Sequence, residues 1–444
     1  MTATGRPAIC AIHERAFVNQ FAVSEKFAYV TPSQLCIGLF VHLDLPWTDH
    51  PFTFSSFKIK SLDQIATLQS LGLEQIRYTP TKSDTPPLPA SEAPRPATAA
   101  MSHPADDAAF AVKRQRLDQL AARRAKIKAC EGALLNSART VKSITKNLFA
   151  RPAAAQQQAE SLVQSMAASM LVDADIAIHL MADKVGGEEV YDHALNVMLL
   201  AMMLARELKV PASAIQQMGL GAVFHDVGTH DLPERVTRKG EVLSKAEQSV
   251  FQQHSAAGVE IGKKLGLSAE ALQVILQHHE AADGSGYPKR LKGPQISLLA
   301  KIVTIASDYD DLCNPANPAK AFTPHEALSV MYGQQRMRYD NAALMTFVRC
   351  MGIYPPGTIV VLSNGTIGMV TSVNSTRPLK PSVLVYDPNV PRDEAMLVDL
   401  EKEPDVVVSK TMRPQQLTDE MHAYLAPRKR VTYYFDAESR KRGT

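Results

Sequence analysis

The chain has 444 residues, 45% of them hydrophobic, and its 48 Lys plus Arg against 45 Asp plus Glu leave a formal net charge of +3. That length exceeds an ordinary domain of roughly 100 to 200 residues, so two or three domains with ample core are expected. The charge balance argues against nucleic acid or an anionic membrane as the main partner, and the five scattered cysteines make neither a disulfide framework nor a CxxC metal site.

No apolar run is long enough to span a bilayer, and the start of the chain lacks a charged-then-apolar leader pattern, so a cytoplasmic setting is expected. Residues 1–78 carry strand-like "GLFVHLDLPW" and then "FKIKSLDQIATLQSLGLEQIRY", where Ile65, Leu68 and Leu71 fall at helical spacing. This reads as a small regulatory α+β module. Residues 79–108 are rich in Pro, Ala and Thr and poor in large apolar side chains, the composition of a linker. Residues 109–154 read as one long basic helix, solvated or self-associating, and hence a candidate homodimer or protein-partner element, although no clean heptad runs through it.

From 155 to 350 the apolar spacing is helical almost throughout, which predicts an all-α core. After residue 351 the pattern changes: "GTIVVLSNGTIGMVTSV" sets β-branched residues on both sides of Asn364-Gly365, a strong hairpin signal, so a small β-rich domain and tail follow over 351–444. The predicted fold class is thus mainly α, a helical bundle flanked by a small N-terminal α+β module and a small C-terminal β-domain.

The chemistry-bearing residues lie in the helical stretch. "YDHALNV" holds His193, "FHDVGTHDLP" holds His225-Asp226, "QQHSAAG" holds His254, and "QHHEAADGSGYP" holds His278-His279. Each falls on a separate predicted helix or helix end. Neighbouring residues on a helix diverge by about 100°, so a His-Asp or His-His pair offers two ligands to adjacent metal positions once several helices converge. Two divalent ions about 3.5 to 4 Å apart generate hydroxide at neutral pH and stabilise both the attacking and the leaving oxygen of a phosphoryl displacement. Imidazoles in the majority, with a few carboxylates and no thiolate, favour iron, manganese or nickel, with iron or manganese expected. Taken singly, each histidine reads equally well as a hydrogen-bonded core or surface residue; the joint pattern is what points to a metal site.

These motifs, from His193 to the HHExxDGxGYP string at 278–288, resemble the HD-GYP family, the bacterial branch of HD-domain metal-dependent phosphohydrolases that acts on cyclic di-GMP. The resemblance covers roughly 189 to 312 and implies a helical bundle. It extends to the flanks, since the N-terminal module and the β-rich tail are similar to segments often found around HD-GYP domains. It further implies metal ligation by His193, His225, Asp226, His254, His278 and His279. Glu189 matches a ligand of members with a third ion, and its i, i+4 spacing would place it on one helix face with His193. In the loop, Asp283, Gly284, Gly286, Tyr287 and Pro288 are the expected substrate contacts, the glycines by allowing close backbone approach.

Three departures from the family pattern stand out. Thr229 occupies the place of a lysine near the scissile phosphate, and a neutral hydroxyl cannot replace that cation. Ser307 stands where the last ligand is expected, leaving Asp308 as the substitute if the helix rotates. Ala281 and "NPANPAK" replace arginine-bearing segments, although Lys239 matches a retained lysine. Two functions follow as expectations: a phosphodiesterase opening cyclic di-GMP to pGpG or GMP, with Asp226 and Thr229 at the reacting phosphate, or a catalytically impaired module of the same fold that binds nucleotide or protein.

Overall fold

The computed structural model describes residues 27–45, 49–52, 54–89, 132–171, 176–180, 184–185, 188–189, 192–237, 243–373, 377–388, 390, 392, 395–426 and 433–437. Its contacts divide the chain into two units, Met1–Leu117 and Asp118–Thr444.

In the first unit, β1 (Ala28–Val30), β2 (Phe40–His42), β3 (Ser56–Lys58), α1 (Leu62–Ser70) and β4 (Ile76–Tyr78) follow one another. The strands form an antiparallel sheet in the order β1-β4-β2-β3. Ser61 caps α1 by accepting from the Gln64 N–H, and the helix lays Leu68 into a core with Val30, Leu35, Leu39, Val41, Leu43, Ile59 and Ile76. Residues 79–89, assigned to the linker from composition, instead strap back onto this module. The Asp84 N–H donates to the Gly38 carbonyl, the Leu88 N–H donates to Gln34, and Lys58 pairs with Asp84 at 2.8 Å. Proline removes donors from such a segment but does not stop its remaining groups from finding partners. The linker expectation for 90–108 lies outside the described residues, as does the basic helix before residue 132.

The second unit opens with α2 (residues 132–147) and α3 (Pro152–Leu171). Three short strands interrupt the helices: β5 (Ile176–Leu180), β6 (Lys184–Val185) and β7 (Glu188–Glu189). The bundle continues with α4 (His193–Glu207), α5 (Ala212–Val223), α6 (Glu234–Thr237), α7 (Lys245–Phe251), α8 (His254–Lys264), α9 (Ala269–Gln277), α10 (Leu298–Cys313), α11 (Pro324–Gly333) and α12 (Asn341–Met351). Every α4 residue from Leu195 to Ala205 is buried, so this helix is the axis of the bundle. Only a glycine fits at residue 228, where a Cβ would collide with the backbone of His254 and Gly258; that close approach seats the 225–231 turn against α8.

Beyond α12, the predicted hairpin is formed by β8 (Ile359–Leu362) and β9 (Ile367–Val373), with Gly365 at φ +85° in the turn. β10 (Ser382–Val385), β11 (Leu397–Asp399), β12 (Val408–Met412), α13 (Asp419–Leu425) and β13 (Tyr433–Ala437) complete the chain. β5 joins this sheet, pairing with both β9 and β13. The helical stretch is therefore interleaved with the β-domain, an arrangement that local periodicity cannot disclose. Arg413 also meets Glu326 of α11 at 2.7 Å, tying β-domain to bundle.

Candidate metal centre

Four helices deliver the imidazoles. His193 is the first residue of α4, whose N-cap Asp192 accepts from the Leu195 N–H. His225-Asp226 follow α5, His254 opens α8, and His278-His279 follow α9. Three of the rings are tethered alike. The Nδ1–H of His225 donates to the Ala222 carbonyl at 2.7 Å, that of His254 to Phe251 at 2.8 Å, and that of His278 to Ile275 at 2.7 Å. A carbonyl only accepts, so the hydrogen sits on Nδ1 and the bare Nε2 lone pair of each ring faces inward.

Asp226 lies between them. Its Oδ2 is 3.5 Å from His225 Nε2, and its Oδ1 is 3.4 Å from His254 Nε2 and 3.6 Å from His278 Nε2. Two groups with metal-ligand geometry share this carboxylate: His193, His225 and Asp226 on one side, and Asp226, His254, His278 and His279 on the other. The donor set fits divalent cations. The Nε2 atoms of His254 and His278 are 3.2 Å apart with both hydrogens committed to carbonyls, so two lone pairs face each other. That repulsion is relieved by a cation that both can bind.

His193 differs from the other three. Its Nδ1 donates to Asp310 Oδ2 at 2.6 Å, while Asn196 and Asn314 each donate to Asp310 Oδ1 at 2.8 Å. Burial favours a neutral His193 ring, but the Asp310 carboxylate overrides it and pushes the pKa up to about 10. Burial dominates at His225, held down at about 3, and also lowers His254 and His279. These three rings are neutral at pH 7, so their lone pairs are available without loss of a proton. For Asp226, burial disfavours the charge, but the surrounding His225, His278 and His193 more than offset it and hold the carboxyl well below the usual range.

Asp308 is a correction. Its carboxylate accepts from the Tyr339 hydroxyl at 2.9 Å and lies 3.6 Å from Arg338, and it does not line the cavity beside Asp226. One step along α10 turns a side chain by about 100°, and the helix does not rotate to compensate. Ser307 and Asp311, one turn apart, face the cavity instead. Glu189 is a second correction, because it sits in β7 and α4 begins only at His193, so the two share no helix face. Lys239 lies outside the described residues.

The centre opens into a cavity of about 650 Å³ whose lining includes His193, His225, Asp226, Thr229, His230 and His279. Thr229 Oγ1 donates to the Asp226 carbonyl at 2.7 Å, so its hydrogen is spent on holding the turn. Residues 283–288 do not line this cavity. Asp283 accepts from the Ser285 N–H at 2.9 Å, closing a turn. Gly284 has φ +84°, and a Cβ at Gly286 would collide with the backbone of residues 279–281. Tyr287 stacks on His279 at 4.6 Å between centroids, and the Tyr287-Pro288 peptide is cis.

Sequence reasoning left Glu280 without a role, yet its buried carboxylate accepts from the N–H groups of Lys289 and Leu291 at 2.7 and 2.8 Å and clamps the loop. It also left Asp310 and Asn196 without one. Asn196 had an available signal, a lone polar residue in the apolar run of α4, whereas Asp310 is one of three aspartates near the end of α10.

Family models match an HD domain over residues 177–343, a domain of unknown function over 29–159, and a KOW domain associated with the HD domain over 359–420. A cyclic di-GMP phosphodiesterase of Pseudomonas aeruginosa is 28% identical over 80% of this chain and 84% of its own length. A cyclic di-GMP phosphodiesterase response regulator of Xanthomonas campestris is 30% identical over 34% of this chain and 40% of its own length. Among solved structures, an HDGYP protein from Bdellovibrio bacteriovorus matches 72% of this chain and 98% of its own, with a TM-score of 0.36 and 15% identity. Residues 177–343 thus match the HD-domain family model, and the chain is similar to proteins named as cyclic di-GMP phosphodiesterases.

Proposed function

We propose that this protein is a metal-dependent phosphodiesterase that opens cyclic di-GMP to pGpG and onward to GMP in bacterial second-messenger signalling. The observation that carries the reading is the pair of donor groups meeting at Asp226, with inward-facing lone pairs 3.2 Å apart. An imidazole-rich set with a shared carboxylate favours two ions, iron or manganese. Bound there, they supply Lewis-acid stabilisation of the phosphoryl oxygens and a nucleophile at neutral pH. The protein's own part is to hold the donors. Carbonyls fix the three tethered rings, Asp310 fixes His193, and Glu280 fixes the loop whose Tyr287 backs His279. The cavity beside Asp226, within the roughly 300–1,000 Å³ usual for ligand sites, is where the phosphodiester would lie. A binding-only module has no need of converged bare lone pairs, and this favours turnover.

Protein reconstituted with manganese(II) or iron(II) should convert cyclic di-GMP to pGpG and GMP, followed by chromatography, and lose that activity with a chelator. Nucleotide binding without turnover in the fully loaded protein would contradict the assignment.

A further inference from the structure

The two donor groups are unequal. The group around His278 has four side chains, whereas that around His193 has three, and its single carboxylate, Asp226, is shared with the other. Two imidazoles and one shared carboxylate offer a hard divalent cation little compensating negative charge.

α10 runs past this deficient half and carries three acidic residues near its end. Asp308 is committed to Tyr339 and Arg338, and Asp310 to His193, Asn196 and Asn314. Among the described residues, the Asp311 carboxylate has no hydrogen-bond or ion-pair partner, and it lines the cavity together with His193, His225 and Asp226. Ser307, on the same helix face one turn earlier, offers only a neutral hydroxyl.

We propose that Asp311 is the fourth protein donor of the half formed by His193, His225 and Asp226, supplying the unshared carboxylate that this half otherwise lacks. The inference rests on the two-group metal site proposed above. It concerns a side chain exposed to the cavity, so replacing it costs little core packing.

Full-length protein reconstituted with manganese(II) and desalted is tested by elemental analysis of manganese per chain and by titration with the ion. The wild type should hold two ions. Asp311→Asn should hold about one, with the weaker step loosened at least tenfold, and Asp308→Asn should still hold two. Placing the carboxylate one turn earlier in the double variant Ser307→Asp, Asp311→Asn should restore the second ion. Two ions of unchanged affinity in Asp311→Asn would overturn the role of Asp311 while leaving the two-group site intact. A wild type that binds no manganese would overturn the site itself and this inference with it.

Discussion

Asp310 acts at one remove from the centre, accepting from His193 on one oxygen and from Asn196 and Asn314 on the other. Asp310→Asn keeps the volume but offers an amide where His193 needs an acceptor, so the ring loses its fixed orientation. Metal affinity at that half should fall about 10- to 100-fold, measured by titration; an unaltered affinity would mean that His193 is held by packing alone. The imidazoles were legible because histidines are few and cluster in motifs. Asp310 was not, because its role depends on which face of α10 meets α4, a tertiary fact. The same ambiguity misplaced Asp308, one residue from the position that faces the cavity. Thr229 lines the cavity as a neutral group. Thr229→Lys gives up a hydrogen bond worth about 0.5–1.5 kcal/mol and places a cation beside developing negative charge. Steady-state turnover should rise, and no rise would show that charge at this position does not limit the rate.

At the scale of elements, helix ends carry the site, and caps fix helix ends. Asp192 starts α4 at His193, which removed Glu189 from the helix that its spacing suggested. The sequence contains that aspartate, but a helical reading of i, i+4 gives no weight to a cap lying between the two positions. Asp340 does comparable work for α12, accepting from the Ala343 N–H at 3.1 Å and pairing with Lys301 at 3.1 Å. Burial alone would raise its pKa, but these contacts outweigh it and the net shift is downward from 3.8. A depressed carboxyl contributes stability above its unfolded pKa and loses it as pH falls through the folded value. Asp340→Ala should therefore cost about 1 kcal/mol near pH 7, read from urea melts, with the difference from wild type fading below pH 3.8. A penalty constant down to pH 2 would assign the loss to packing.

At the scale of the whole molecule, the order of α+β module, helical bundle and β-domain was legible from composition and periodicity. The hairpin at Asn364-Gly365 formed where turn chemistry placed it. The insertion of β5 into the C-terminal sheet was not legible, because strand pairing over such a separation leaves no local trace. Nor was the return of residues 79–89 to the first module, whose hydrogen bonds are made by a segment that looks solvated. None of the described helices is long and apolar enough to cross a membrane. What the architecture does for function is bring helix ends from four parts of the bundle to one shared carboxylate. Asp226→Ala removes that carboxylate while leaving every imidazole in place, so the most direct measurement is manganese per chain together with cyclic di-GMP turnover on the same reconstituted sample. Loss of both ions and of all turnover is the predicted result. Two retained ions with turnover near that of the wild type would contradict a centre organised around Asp226.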